Sequence, residues 1–140
     1  MNKKILHCEN ITKIFNTGEA EVKALQGVSL DVYENELLML VGPSGCGKTT
    51  FVSILSTLLS FEDGYCEVLG KDISKMNDEA KTAFRGKNVG FVFQSFNLLP
   101  SLSAVDNVAL PLTIAGVSIQ KAFKSAKEML NAVELADKAE

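Results

Sequence analysis

The spacing of apolar residues changes character along this chain, and each change predicts an element. Residues 4–8 and 11–15 are short runs of strand type, and Asn16-Thr17-Gly18-Glu19 is a polar turn. Val22 to Leu25 and Val28 to Val32 follow, with Gln26-Gly27 between them. In Val28-Ser29-Leu30-Asp31-Val32 the alternation is strict, which predicts one buried face and one wet face. Strands so closely spaced pair antiparallel. Glu36-Leu37-Leu38-Met39-Leu40-Val41 is an apolar run of strand length, and Phe51 to Leu59 carries apolar residues at helical spacing.

The second half continues the alternation of types. Phe61-Glu62-Asp63-Gly64 predicts a turn, Tyr65 to Leu69 a strand, and Gly70-Lys71-Asp72-Ile73 a further short one. Asn77 is an N-cap candidate with Asp78 and Glu79 in the first turn, where the helix dipole favours acids; that helix should run to about Arg85 and stop at Gly86. Asn88-Val89-Gly90-Phe91-Val92-Phe93 reads as a strand buried on both faces, ending in Gln94-Ser95-Phe96-Asn97-Leu98-Leu99-Pro100. Ser103-Ala104-Val105-Asp106 has capping-box spacing, and Pro111 falls within or just beyond the helix it opens. Ser118 opens the last helix, whose stripe of Ala122, Phe123, Ala126, Met129, Leu130 and Val133 reads as packing surface.

Composition narrows the classes. A hydrophobic fraction of 46% and a charged fraction of 22% over 140 residues are globular values. The net charge of −3 argues against a general nucleic-acid binder. Cys8, Cys46 and Cys66 fit no paired metal spacing and read as free thiols of a reducing compartment. No apolar run approaches the roughly 20 residues that span a bilayer, so the chain reads as soluble, with any membrane connection through a partner.

Chemistry concentrates in Gly42-Pro43-Ser44-Gly45-Cys46-Gly47-Lys48-Thr49-Thr50. It fits G-x-x-x-x-G-K-[ST], the phosphate-binding P-loop, between a predicted strand and a predicted helix. Gly42, Gly45 and Gly47 let the backbone turn sharply and approach a ligand. Successive N–H groups and the N-terminus of the next helix then form an anion nest. In that nest Lys48 would serve the β- and γ-phosphates, and the Thr49 hydroxyl would be a Mg²⁺ ligand. Thr50 falls on the α-phosphate side, and Cys46 reads as a small filler of the loop.

The loop alone leaves kinase, GTPase and transport ATPase open. The β region before it, and the strand running into Gln94, 46 residues after Lys48, resemble the ATP-binding domain of ABC transporters. Val22 to Leu30 and Phe93 to Pro100 resemble the branch that serves lipoprotein release, macrolide-type export and related cell-envelope tasks. The resemblance covers about Ile5 to Glu140. It implies an α/β P-loop NTPase fold with an N-terminal antiparallel β subdomain (1–35), a P-loop α/β core (36–94) and a truncated helical subdomain (95–140), the central sheet being incomplete. It implies that Gly42 to Thr50 are Walker A, that Gln94 is the Q-loop glutamine reaching Mg²⁺ and the attacking water, that Phe15 stacks on adenine, and that Val22 lines the base pocket. Read without the resemblance, Phe15 is a core aromatic and Gln94 a solvent-facing strand end.

The implied cofactors are ATP and Mg²⁺, with Lys48 and Gln94 as catalytic residues and Thr49 and Gln94 at the metal. The implied partners are a membrane-spanning subunit docking near 95–130 and a second ATP-binding domain, at the cytoplasmic face of the membrane and without nucleic acid. No L-S-G-G-Q signature, no later strand ending in Asp-Glu and no switch histidine is found, which predicts an N-terminal fragment that hydrolyses ATP negligibly alone. Uncovered residues of 36–41 and 88–93 predict a marginally stable or partner-dependent fold. The alternatives are a non-catalytic nucleotide-binding module and another P-loop enzyme such as a small-molecule kinase; a DNA-repair ATPase is disfavoured by the acidic charge.

Overall fold

The structure is a computed structural model that describes residues 3–16, 18 and 20–138. The expected turn at 16–19 includes Thr17 and Glu19, which lie outside the described residues. The chain divides into two compact units, residues 1–91 and 92–140.

The first unit is built on a long antiparallel ribbon. The four short strands expected at its start are two strands of 13 residues, β1 (Lys4–Asn16) and β2 (Glu21–Tyr33), paired from Lys4↔Tyr33 to Asn16↔Glu21. The breaks in the pattern are bulges. Asn10 sits at φ 53° where the register shifts, and its N–H donates to Ser29 Oγ at 2.9 Å in place of a ladder bond. Strands β3 (Asp63–Val68) and β4 (Lys71–Asp72) complete an antiparallel sheet in the order β2-β1-β3-β4. Asp63-Gly64, expected as a turn, already belongs to β3. A Cβ on Gly64 would lie 2.6 Å from the Glu9 carbonyl oxygen, so only glycine admits β1 that close.

Two helices pack on the sheet. Helix α1 (Lys48–Leu55) begins earlier than the apolar pattern suggests and ends earlier than Leu59. Thr57 turns into the left-handed region at φ 60°, and the N–H groups of Thr57 and Leu58 donate to the carbonyls of Ile54 and Ser53, both at 2.8 Å. This is a Schellman closure without glycine. Helix α2 (Asp78–Asn88) has the expected cap, Asn77 Oδ1 accepting from the Ala80 N–H at 2.8 Å. It does not stop at Gly86. Phe84 is buried, the Arg85 guanidinium donates to the Thr57 carbonyl at 2.8 Å, and Asn88 Nδ2 donates to the Phe84 carbonyl. Together these outweigh the roughly 1 kcal/mol that an interior glycine costs. The core joins Cys8, Ile11, Leu25, Phe51, Ile54, Cys66, Val68, Ile73 and Phe84.

The expected strands 36–41 and 88–93 are not strands. Leu37, Met39 and Val41 are 90%, 76% and 86% exposed, while Leu40 packs on the core, so the residues alternate as a strand would. Among the described residues neither segment enters a hydrogen-bonded ladder. An apolar run becomes a strand only where another strand takes up its N–H and C=O groups.

The second unit is a helical hairpin, α3 (Ala104–Ile114) and α4 (Ile119–Ala132). The capping box forms, with Ser103 Oγ accepting from the Asp106 N–H and the Asp106 carboxylate accepting from the Ser103 N–H. Pro111 lies inside α3. Asn107 ties the preceding turn, accepting from the Leu99 N–H at 2.8 Å and donating to the carbonyls of Leu99, Leu102 and Ser103. Small residues Ala109, Ala122 and Ala126 bring the helices together beside Val105 and Leu130. Of the expected α4 stripe, Met129 and Val133 instead face solvent. Both helices end in Schellman closures, through Gly116 at φ 85° and through Glu134 at φ 62°.

Candidate functional site

The P-loop lies in the first unit, between the exposed segment 36–41 and α1. Gly45 and Gly47 take φ of 79° and 92°, and Gly47 is the N-cap of α1. A Cβ on Gly42 would meet Cys46 Sγ at 2.8 Å. A Cβ on Gly47 would overlap the Ala24 carbonyl oxygen and lie 2.9 Å from Leu25 Cδ2. The loop is therefore pressed against β2 at its C-terminal end, where Gly47 is a steric requirement.

No side chain caps α1 and no acid stands in its first turn. Its first N–H groups and positive dipole end are thus left for an anion. Lys48 supplies the full charge. Its ammonium donates to the carbonyls of Gly42 at 2.8 Å and Pro43 at 2.7 Å, and lies 3.4 Å from Cys46 Sγ. Ser44, Cys46 and Thr49 are exposed and Thr50 is half-buried.

Phe15 belongs to the same unit. It pairs in register with Val22 across β1 and β2, and the two are 37% and 49% exposed. Neither is a core residue. Val22 stands two residues from Ala24, the residue against which the P-loop closes, and so about 7 Å along the strand. Sequence reasoning missed what holds this end of β1. Lys13 Nζ lies 5.3 Å from the Phe15 ring centroid and pairs with Glu62 at 2.8 Å. Glu62 also accepts from the Ile14 N–H at 2.8 Å. The Lys13 ammonium, then the Ile14 N–H, hold the Glu62 carboxyl below its ordinary range against the opposing effect of desolvation. Lys13 was findable, two residues before Phe15 and so on its face of the strand; Glu62 was not.

Gln94 belongs to the other unit. It is exposed and lies in the irregular segment before α3, not at a strand end. The structure thus brings Phe15, Val22 and Gly42 to Thr50 into one unit and places Gln94 in the second. Among the described residues no group of three His, Cys, Asp or Glu side chains could hold a metal ion. A cation at this site would take the Thr49 hydroxyl and oxygens of a ligand, the donor set that Mg²⁺ accepts with phosphates. The glycine cradle, the uncapped helix and the single ammonium fit a phosphate chain.

Known proteins place these residues in a wider context. Residues 25–140 match the family described as ABC transporter. An uncharacterized ABC transporter ATP-binding protein of Thermotoga maritima is 42% identical over 136 residues, covering 97% of this chain and 58% of that protein. The lipoprotein-releasing system ATP-binding protein LolD of Pseudoalteromonas translucida is 40% identical over 139 residues, covering 99% of this chain and 60% of its own length. Among solved structures, a dimeric ATP-binding cassette in a post-hydrolysis state, bound to ADP and Pi, superposes with a TM-score of 0.89 at 35% identity. That likeness covers 96% of this chain and 60% of the other. The chain therefore spans less than two thirds of the length of the relatives it matches.

Proposed function

Because the chain belongs to the ABC transporter family and has the α/β P-loop NTPase fold of its cassettes, we propose that Gly42 to Thr50 hold Mg-ATP for a transporter's energy-coupling subunit. The observation that carries this reading is the cradle itself, in which Gly47 closes against β2, α1 is left uncapped and Lys48 stands over the loop.

Each residue has a role in that reading. Lys48 meets the β- and γ-phosphates with an ammonium of three donors. The amides of Gly45 to Thr50 line the phosphate chain, with Thr50 on the α-phosphate side. Phe15 offers a π-face to adenine, with Val22 as its apolar neighbour. Mg²⁺ supplies neutralisation of phosphate charge, with the Thr49 hydroxyl as its protein ligand from the loop. Gln94 would serve the metal and the attacking water, as the family resemblance implies. Catalysis of phosphoryl transfer to water is positioning and charge stabilisation, and of those tasks the P-loop residues supply the cradle.

A membrane-spanning subunit docks near 95–130, in the second unit, and a second ATP-binding domain completes the assembly at the cytoplasmic face. The transported cargo is of the exported or lipoprotein class, supported by the LolD relative. No helix among the described residues is long and apolar enough to cross a membrane, so crossing falls to that partner. The test is equilibrium binding of a fluorescent ATP analogue with Mg²⁺. Lys48→Ala should weaken it at least tenfold with the circular dichroism spectrum unchanged, and Phe15→Ala should weaken ATP more than inorganic triphosphate. Undiminished binding by Lys48→Ala would refute the assignment.

A further inference from the structure

Away from the P-loop, the first unit holds two nucleophilic side chains with no part in nucleotide binding. Cys8 on β1 and Cys66 on β3 are opposite each other in the antiparallel register. They are 1% and 0% exposed, and their Sγ atoms are 2.7 Å apart. Both are free thiols. Directly opposed residues of an antiparallel pair have Cα atoms about 4.5 or 5.5 Å apart, within the span of a disulfide. The two sulfurs need close by only about 0.7 Å to reach bonding distance.

Their surroundings differ. An open groove of about 560 Å³, bordered by His7, Glu9, Asn10, Ser29 and Asp31, runs along β1 at Cys8, whose side chain stays in the core. The Cys66 thiol is pushed above the ordinary thiol range, first by its hydrogen bond with Cys8 and then by burial. It therefore stays protonated, while Cys8, itself buried, is reached as the ribbon opens locally at the bulge beside it.

We propose that Cys8 and Cys66 form a reversible oxidation site, converted by hydrogen peroxide into an intramolecular disulfide. In the first step the Cys8 sulfur takes one peroxide oxygen as S–OH, the O–O bond breaks, and the thiol proton leaves with the other oxygen as water. In the second step the Cys66 sulfur attacks the Cys8 sulfur, the S–O bond breaks, and the departing hydroxide takes the Cys66 proton. Two thiols and one peroxide give one disulfide and two waters; the sulfur pair loses two electrons and the peroxide gains them. The new bond staples β1 to β3. The segment it closes contains Phe15 and all of Gly42 to Thr50, so oxidation tightens the unit that carries the P-loop.

The experiment uses the full chain and its Cys46→Ser variant, which removes the exposed thiol. Each is treated with hydrogen peroxide in native buffer, alkylated with a maleimide and mapped by peptide mass spectrometry. A Cys8–Cys66 linked peptide should appear, two alkylatable thiols should be lost, and dithiothreitol should restore them. The oxidised chain should melt at least several degrees higher. In Cys66→Ser, a dimedone adduct should form on Cys8; in Cys8→Ser, Cys66 should stay unmodified. Absence of the linked peptide from native protein, or its appearance only in urea, overturns the proposal. So does a dimedone adduct on Cys66 in place of Cys8.

Discussion

Replacing Gly47 by alanine tests whether the P-loop is seated as described. Gly47 combines a φ of 92° with a wall of β2 directly where a Cβ would go. Gly45, two residues earlier, has a similar φ of 79° but nothing within 4 Å of its Cβ position. The pair separates two costs. Gly45→Ala carries only the backbone penalty of a left-handed non-glycine residue, about 1–2 kcal/mol. Gly47→Ala carries that penalty plus overpacking, about 1–3 kcal/mol more. The Leu25 methyl can move aside, but the Ala24 carbonyl is backbone of a paired strand and cannot retreat without breaking the ribbon. Urea unfolding followed by circular dichroism would read the two values. In a unit of this size each 1 kcal/mol is about 4–8 °C of melting temperature, so Gly47→Ala should melt well below Gly45→Ala. Equal losses in the two variants would show that the loop does not close against β2.

Acid should weaken the first unit in a defined window. Asp31, held low by Lys4 and then His7, Glu62 by Lys13, and Asp72 by Lys75 and Ser74, all have carboxyls below their ordinary values of 3.8, 4.5 and 3.8. A lowered folded value means that the stability is present above the ordinary value and is lost as pH falls through the lowered one. Melting temperature should therefore drop on going below those ordinary values, and Asp31→Asn with Glu62→Gln should flatten the curve. Asn107→Ala removes the side-chain hydrogen bonds that tie the turn before α3 and should destabilise the second unit by about 1–3 kcal/mol in chemical denaturation. Glu134→Gly should instead stabilise by about 1 kcal/mol in the same assay, because it relieves a left-handed residue at a Schellman closure.

The elements that were legible in the sequence are those whose cause is local. The P-loop is a spacing of glycines and a lysine, the Ser103 box and the Asn77 cap are side chains next to the N–H groups they serve, and the β1–β2 ribbon follows from alternation. What escaped depends on residues remote in sequence. Segment 36–41 has the composition of a strand and even its alternation, but a ladder needs a neighbour. Helix α2 runs through Gly86 because Arg85 reaches Thr57 across the unit. Of the three left-handed helix ends, only Gly116 announces itself; Thr57 and Glu134 carry no glycine signal. Phe15 and Val22 were separate candidates in the sequence and became cross-strand neighbours through the register. Gln94 was placed by its run of apolar neighbours, which turned out not to be a strand.

The posture of Lys48 makes ligand capture an exchange and not an addition. Its ammonium already satisfies two carbonyl oxygens of its own loop, so an anion that draws Lys48 onto itself must replace both bonds. Hydrogen bonds to a charged group are worth about 1.5–3 kcal/mol each. A singly charged ion such as chloride cannot return that much, whereas a phosphate chain spread over the lysine, the loop amides and the end of α1 can. The carbonyls of Gly42 and Pro43 thereby compete with any anion for Lys48.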